Sequence, residues 1–197
     1  MNIFYLSSSP IQAARQHNLV HVNKMLQEYA QLCSTAHRLL DGESCVMPYV
    51  NYKGTVVEGE WYLMAHDVVE DGVVVRNPMC KHTHANHPSA KWVRESSQHY
   101  NWVVTCGLEL CRIWREHKGE DHSYFKRYHY LASSPVNLQD NGFTEPPFCG
   151  DDDLGHLPVT TAYQHQMRRK FIDWLSRDRV GQVKFLLPRP QWLSVYS

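Results

Sequence analysis

The chain has no excess of either charge: 20 lysines and arginines stand against 20 aspartates and glutamates. That excludes a global electrostatic footprint for nucleic acid and leaves room only for a local basic face. No segment approaches the roughly 20 apolar residues that span a bilayer. The opening MNIFYLSSSP lacks a basic stretch followed by a long apolar one, so neither a membrane span nor a leader is expected. The six cysteines, Cys33, Cys45, Cys80, Cys106, Cys111 and Cys149, contain no CxxC pair. This argues against a disulfide framework and for a reduced, cytoplasmic protein with free thiols. Phosphate-binding glycine loops and nucleophile elbows are missing as well.

What is present is an ordinary globular composition with one oddity, 13 histidines in 197 residues. Histidine is the side chain most easily poised near neutral pH. The longest segment with one clear period is His17 to Leu40. Val22, Met25, Leu26, Tyr29, Leu32, Cys33, Ala36 and Leu39 recur at steps of three and four, one face of an α-helix. A polar stripe, His17, His21, Lys24, Glu28, Gln31 and Thr35, runs along the border of that face. It is either a solvated edge, whose long side chains cover apolar surface, or one wall of an active site.

Around this helix the chain reads as mainly α: a compact helical bundle with a small β-hairpin insertion and a long irregular C-terminal segment. One domain over 1–197 is expected, with a helical core in 10–42 and 84–176 and the insertion at about 50–78. Asn2 to Leu6 reads as a short buried strand or extended piece, and Ser7 to Ser9 before Pro10 as a helix start. Asp41-Gly42 is a helix stop. VVEDGVVV is a hairpin signal, two valine runs around a turn dipeptide. A second long helix is expected from Pro88 to about Lys118, a short one over Ser123 to Ala132 and a third over Thr160 to Ser176, with a proline-punctuated extended tail, FLLPRPQWLSVYS.

Several clusters have two readings. Cys80, His82, His84 and His87 are zinc-type ligands, but no second Cys/His pair follows, and a histidine loop reaching a phosphate or base is the alternative. His66-Asp67 lacks the further ligands of a metal phosphohydrolase. Asp151 to Asp153 suit a divalent cation or, more often, a solvated turn. No metal and no cofactor are therefore expected. YFKRYHYLA interleaves basic and aromatic residues, as a nucleic-acid surface does and as a helix core does too.

HVNKMLQEYAQL, followed by NHPSAKWVRES and a long helix, resembles phage-encoded proteins and, more distantly, the pyrimidine-dimer DNA glycosylase (endonuclease V) family. That family is compact and mostly helical. Its N-terminal helix carries a histidine and, seven residues on, a catalytic glutamate, and its nucleophile is the chain's own α-amino group. His21 and Glu28 have this separation here. The resemblance implies a glycosylase/AP lyase acting on damaged or modified pyrimidine nucleotides, with Glu28, His21 and the Met1 amine as catalytic groups. Met1 is expected to be retained, because Asn2 is large. His17, Lys24, His87, Trp92, Arg94 and Tyr100 are the candidate substrate-binding residues, Lys24 and Arg94 for phosphates, Trp92, His87 and Tyr100 for stacking on a base. The implied partner is DNA or a free nucleotide in the cytoplasm of an infected host cell. Two other classes stay open: an enzyme on free nucleotides or nucleosides, and a non-catalytic accessory protein that binds a small ligand or a host protein.

Overall fold

The computed structural model describes residues 1–194; Val195, Tyr196 and Ser197, the end of the tail expected to be extended, lie outside the described residues. Ile3 to Leu6 enter the core as an extended, buried piece without sheet partners. Ser9 then caps helix α1 (Pro10–Arg15), accepting from the Gln12 amide, with Pro10 where a missing N–H costs nothing. Asn18 caps helix α2 (Leu19–Asp41) in the same way, accepting from the amide of His21.

Helix α2 is the centre of the molecule. Val22, Met25, Leu26, Tyr29, Leu32, Cys33 and Ala36 are buried along the face their spacing predicts, while Leu39 is only half-buried. Across this face lie α3 (Pro88–Glu95), α4 (Ser97–Lys118) and α5 (Phe125–Leu131). Tyr128 of α5 passes between the long helices and donates its hydroxyl to the Leu26 carbonyl at 2.9 Å. Gly107 is what admits it, because a Cβ at that position of α4 would collide with the Tyr128 ring.

The segment Pro88 to Lys118 is two helices, not one. Ser96 adopts an extended backbone (φ −153°) and its hydroxyl accepts from the Gln98 amide, so it stops α3 and caps α4. The insertion is also larger than a hairpin. Strands β1 (Glu43–Val50), β2 (Val56–Leu63), β3 (Val68–Glu70) and β4 (Val73–Arg76) form one mixed sheet in the order β2-β1-β4-β3. The Asp71-Gly72 turn joins β3 to β4 as the valine runs predict, with both residues at positive φ. The added hairpin, β1 with β2, pairs Glu43 with Leu63 through to Val50 with Val56, and β1 meets β4 in parallel at Tyr49 and Val74. Of its strands, β2 alternates the exposed Glu58 and Glu60 with more buried residues and β1 carries Pro48, so neither shows the continuous apolar run of the valine pair.

One buried ion pair fastens the sheet to α2. The Arg38 guanidinium, fully buried, holds Asp67 through two nitrogens at 2.8 and 2.9 Å and also donates to the carbonyls of Tyr62 and Cys80. Downstream, a long irregular stretch wraps the helices and leads into α6 (Val159–Ser176). The tail returns along α2, where Asn18 bridges Phe185, and ends in the short helix α7 (Gln191–Ser194). Among the described residues no helix is long and apolar enough to cross a membrane.

Candidate functional site

The N-terminus and the polar border of α2 meet. The backbone N–H of Asn2 donates to Glu28 Oε2 at 3.0 Å, and Lys24 Nζ lies 3.3 Å from the other carboxylate oxygen. Asn2 is clamped from both sides. Its carbonyl oxygen accepts from the Tyr163 hydroxyl of α6 at 2.6 Å, and its amide donates to the Cys149 carbonyl of the wrapping stretch at 3.1 Å. Three elements far apart in sequence, α2, the wrapping stretch and α6, therefore determine where Asn2 lies.

Basic groups surround the Glu28 carboxylate. His87 caps α3 with Nδ1, which accepts from the Ser89 amide, so Nε2 is the nitrogen left for other contacts. Its pKa is pushed below the usual value, first by burial and then by the charges of the N-terminal ammonium and His84, against the opposing pull of Glu28. Lys170 of α6 is held below the usual lysine range by burial and by Lys24, again opposed by Glu28. Its ammonium stands 6.0 Å from the Phe4 ring and 5.7 Å from that of Trp174. Lys24 thus pairs directly with the Glu28 carboxylate, whose own side chain is 14% exposed, while His87 and Lys170 stand within its electrostatic reach. His84 carries the loop in with a left-handed backbone (φ 49°), an uncommon conformation for a residue with a side chain.

The other expected site residues lie elsewhere. His21 is buried in an aromatic box, stacked on Trp174 at 5.7 Å and edge-on to Phe4 at 4.9 Å, with Nδ1 lacking a hydrogen-bond partner. Burial, reinforced by the charges of His17, Lys170 and Lys24, pushes its pKa down to about 2. It is a neutral ring of the core, and Lys24, one turn on, takes the contact with Glu28. His17 is buried as well: Nδ1 donates to the Ala13 carbonyl at 2.7 Å, and its pKa falls to about 4, chiefly through burial. Trp92 stacks on His99 at 4.2 Å and donates to the Thr144 carbonyl, while Tyr100 donates to the Leu131 carbonyl; both are core residues with their polar atoms engaged. Arg94 is half-buried and donates to the Ala85 carbonyl, which steadies the loop that carries His84 and His87.

Of the nine expected residues the structure gathers Met1, Lys24, Glu28 and His87. It adds Asn2, Lys170, Cys149 and Tyr163, which sequence reasoning missed. The only signal was the basic run Arg168 to Lys170 on α6, whose helix period does not say which member turns inward. The metal-type clusters are spread out: His82 lies 3.3 Å from Glu60, His84 faces the Thr83 hydroxyl, and Asp151 and Asp153 pair with Arg169. Among the described residues no three His, Cys, Asp or Glu side chains gather for a metal ion.

Chemically, the arrangement suits an amine nucleophile. An α-amine beside a carboxylate can act as a nucleophile once it has lost its proton, and the carboxylate can carry that proton. Comparison with protein-family models, curated proteins and solved structures returned no match.

Proposed function

We propose that the chain is a DNA glycosylase/AP lyase-like enzyme that acts on damaged or modified pyrimidine nucleotides through a Schiff base on its own α-amino group. The observation that carries this reading is the Asn2 N–H bound at 3.0 Å to Glu28, which sets the first peptide bond of the chain against a carboxylate whose other oxygen pairs with Lys24. The neutral amine attacks the sugar C1′ and the glycosidic bond breaks, with its electron pair leaving on the base, which takes up a proton. Glu28 stabilises the positive charge that develops on the sugar and shuttles protons as the ring opens to the iminium. Lys24 and Lys170 supply cations for the flanking phosphates. His21 has no contact role in this scheme; its ring supports Phe4 and Trp174 behind the site. Excision of Met1 would move the amine onto Asn2, at the position already 3.0 Å from Glu28.

The test is borohydride trapping on abasic DNA and on ultraviolet-damaged DNA, with intact-mass spectrometry to identify the terminal residue. The expected result is a reduced protein–DNA adduct that maps to the first residue and disappears when the α-amine is acetylated. An adduct that survives acetylation would place the nucleophile on a lysine. No adduct on either substrate sinks the proposal.

A further inference from the structure

A second feature lies one turn along α2 from Glu28. Gln31 opens a cleft of about 740 Å³ between the face of the β1–β2 hairpin and α5. Its floor is aromatic: the rings of Tyr49 and Trp61 lie 4.9 Å apart, and Lys81 Nζ sits 4.1 Å above Tyr49, donating to its hydroxyl. The opposite wall is Tyr124, with the Arg127 guanidinium 5.4 Å above its ring. Tyr52, at the tip of the hairpin, is 93% exposed at the mouth, near Arg76. The cleft is lined by the cations Arg76, Lys81 and Arg127 and by no carboxylate; Glu60 of β2 is turned to His82. In a chain whose charges cancel, this is a segregation of one sign against aromatic faces.

We propose that the cleft holds a segment of single-stranded nucleic acid, a base stacked on Tyr52 and phosphates on Arg76, Lys81 and Arg127. Every base offers a π face, so stacking of this kind tolerates any sequence, and cations tracking the backbone complete the pattern by which single strands are held. Tyr52 fits because its ring is almost wholly open to solvent at the hairpin tip, with Lys53 Nζ 5.6 Å from it as a further cation. The inference stands on the cleft alone and does not need the amine chemistry at Glu28.

The probe is a fluorescein-labelled oligothymidylate about ten nucleotides long, followed by anisotropy with the intact chain. Binding is expected to weaken with salt, with a log–log slope of about −2, as three phosphate contacts on a single strand require. Tyr52→Ala should weaken it at least about fivefold, the smallest loss expected for one stacked base. Gly59 lies on the same face of β2, and a Cβ there would meet Tyr49 and Lys81 at ordinary van der Waals distance. Gly59→Glu therefore inserts a carboxylate without a clash, and a loss of about tenfold or more is expected from the lost cation contact. No binding by the wild-type chain overturns the proposal, as does unchanged binding in both variants. Displacement by thymidine monophosphate as efficient as by unlabelled oligothymidylate also overturns it, since the site would then read a nucleotide and not a strand. Because the assay contains neither damaged base nor borohydride, its outcome is independent of whether a Schiff base forms.

Discussion

Asp67 meets α2 through Arg38, and both side chains are essentially closed to water, at 1% and 0% exposure. Its oxygens accept two guanidinium hydrogen bonds, the Trp61 indole N–H and the Met64 amide. Burial alone would raise its pKa, but these donors outweigh it and hold the carboxyl below its usual range. Glu28, earlier on the same helix, has one backbone N–H and a lysine that is itself 54% exposed. A saturated carboxylate in the interior has no capacity left for a substrate, and breaking its pair is costly. A carboxylate at the border with few partners contributes little to stability and keeps a lone pair for chemistry. The contrast separates a structural acid from a candidate catalytic one without appeal to charge, which is the same.

The contrast is broken most severely by Arg38→Met, which strands Asp67 as a buried, uncompensated charge. A loss of about 3–5 kcal/mol in urea unfolding is expected. A loss below about 1 kcal/mol would mean that Asp67 reaches water, and the distinction would collapse. Glu28→Gln should do the opposite: borohydride trapping slowed by about 100-fold or more, with stability within about 1 kcal/mol of wild type, as for a partly exposed pair. Trapping at the wild-type rate removes Glu28 from the mechanism.

Two of the buried histidines, His17 and His21, sharpen the comparison from the side of pH. Unfolded His17 and His21 protonate near about 6.5, the folded ones only near about 4 and about 2. With folded values depressed, the unfolded chain binds more protons below pH 6.5, so stability is full above that pH and falls as the solution is acidified. At pH 5 each histidine costs about 2 kcal/mol relative to neutral pH. His21→Phe keeps the aromatic box and should reduce the fall in melting temperature between pH 7 and pH 5. An unchanged slope would show that His21 is not buried neutral. The smallest effect belongs to Lys24→Gln, which removes an exposed i,i+4 partner of Glu28. A change within about 0.5 kcal/mol is expected in thermal unfolding, and a larger one would mean that Lys24 and Glu28 form a structural pair after all.

Much of this was legible in residue order. The three- and four-residue steps of His17–Leu40 predict the buried face of α2, and the Ser-Ser-Ser-Pro signal and the Asp71-Gly72 turn are where the spacing puts them. The border stripe was legible only as a stripe. Its members divide into core imidazoles and site groups according to what packs on them, and Phe4, Trp174 and Lys170 arrive from opposite ends of the chain. Nothing in residue order sets Arg38 apart from other basic residues near a helix end; its burial depends on an aspartate that the sheet delivers. Ser96 was missed as a break because the apolar period continues across it.

By itself, then, the sequence determined the helix periods, their capping residues and the tight turns, since these rest on interactions within about four residues along the chain. Tertiary structure alone decided which polar side chain on the border of α2 is sealed in, which is paired and which is left beside the N-terminus. Burial and pairing depend on groups brought from distant segments, and no local pattern carries their positions.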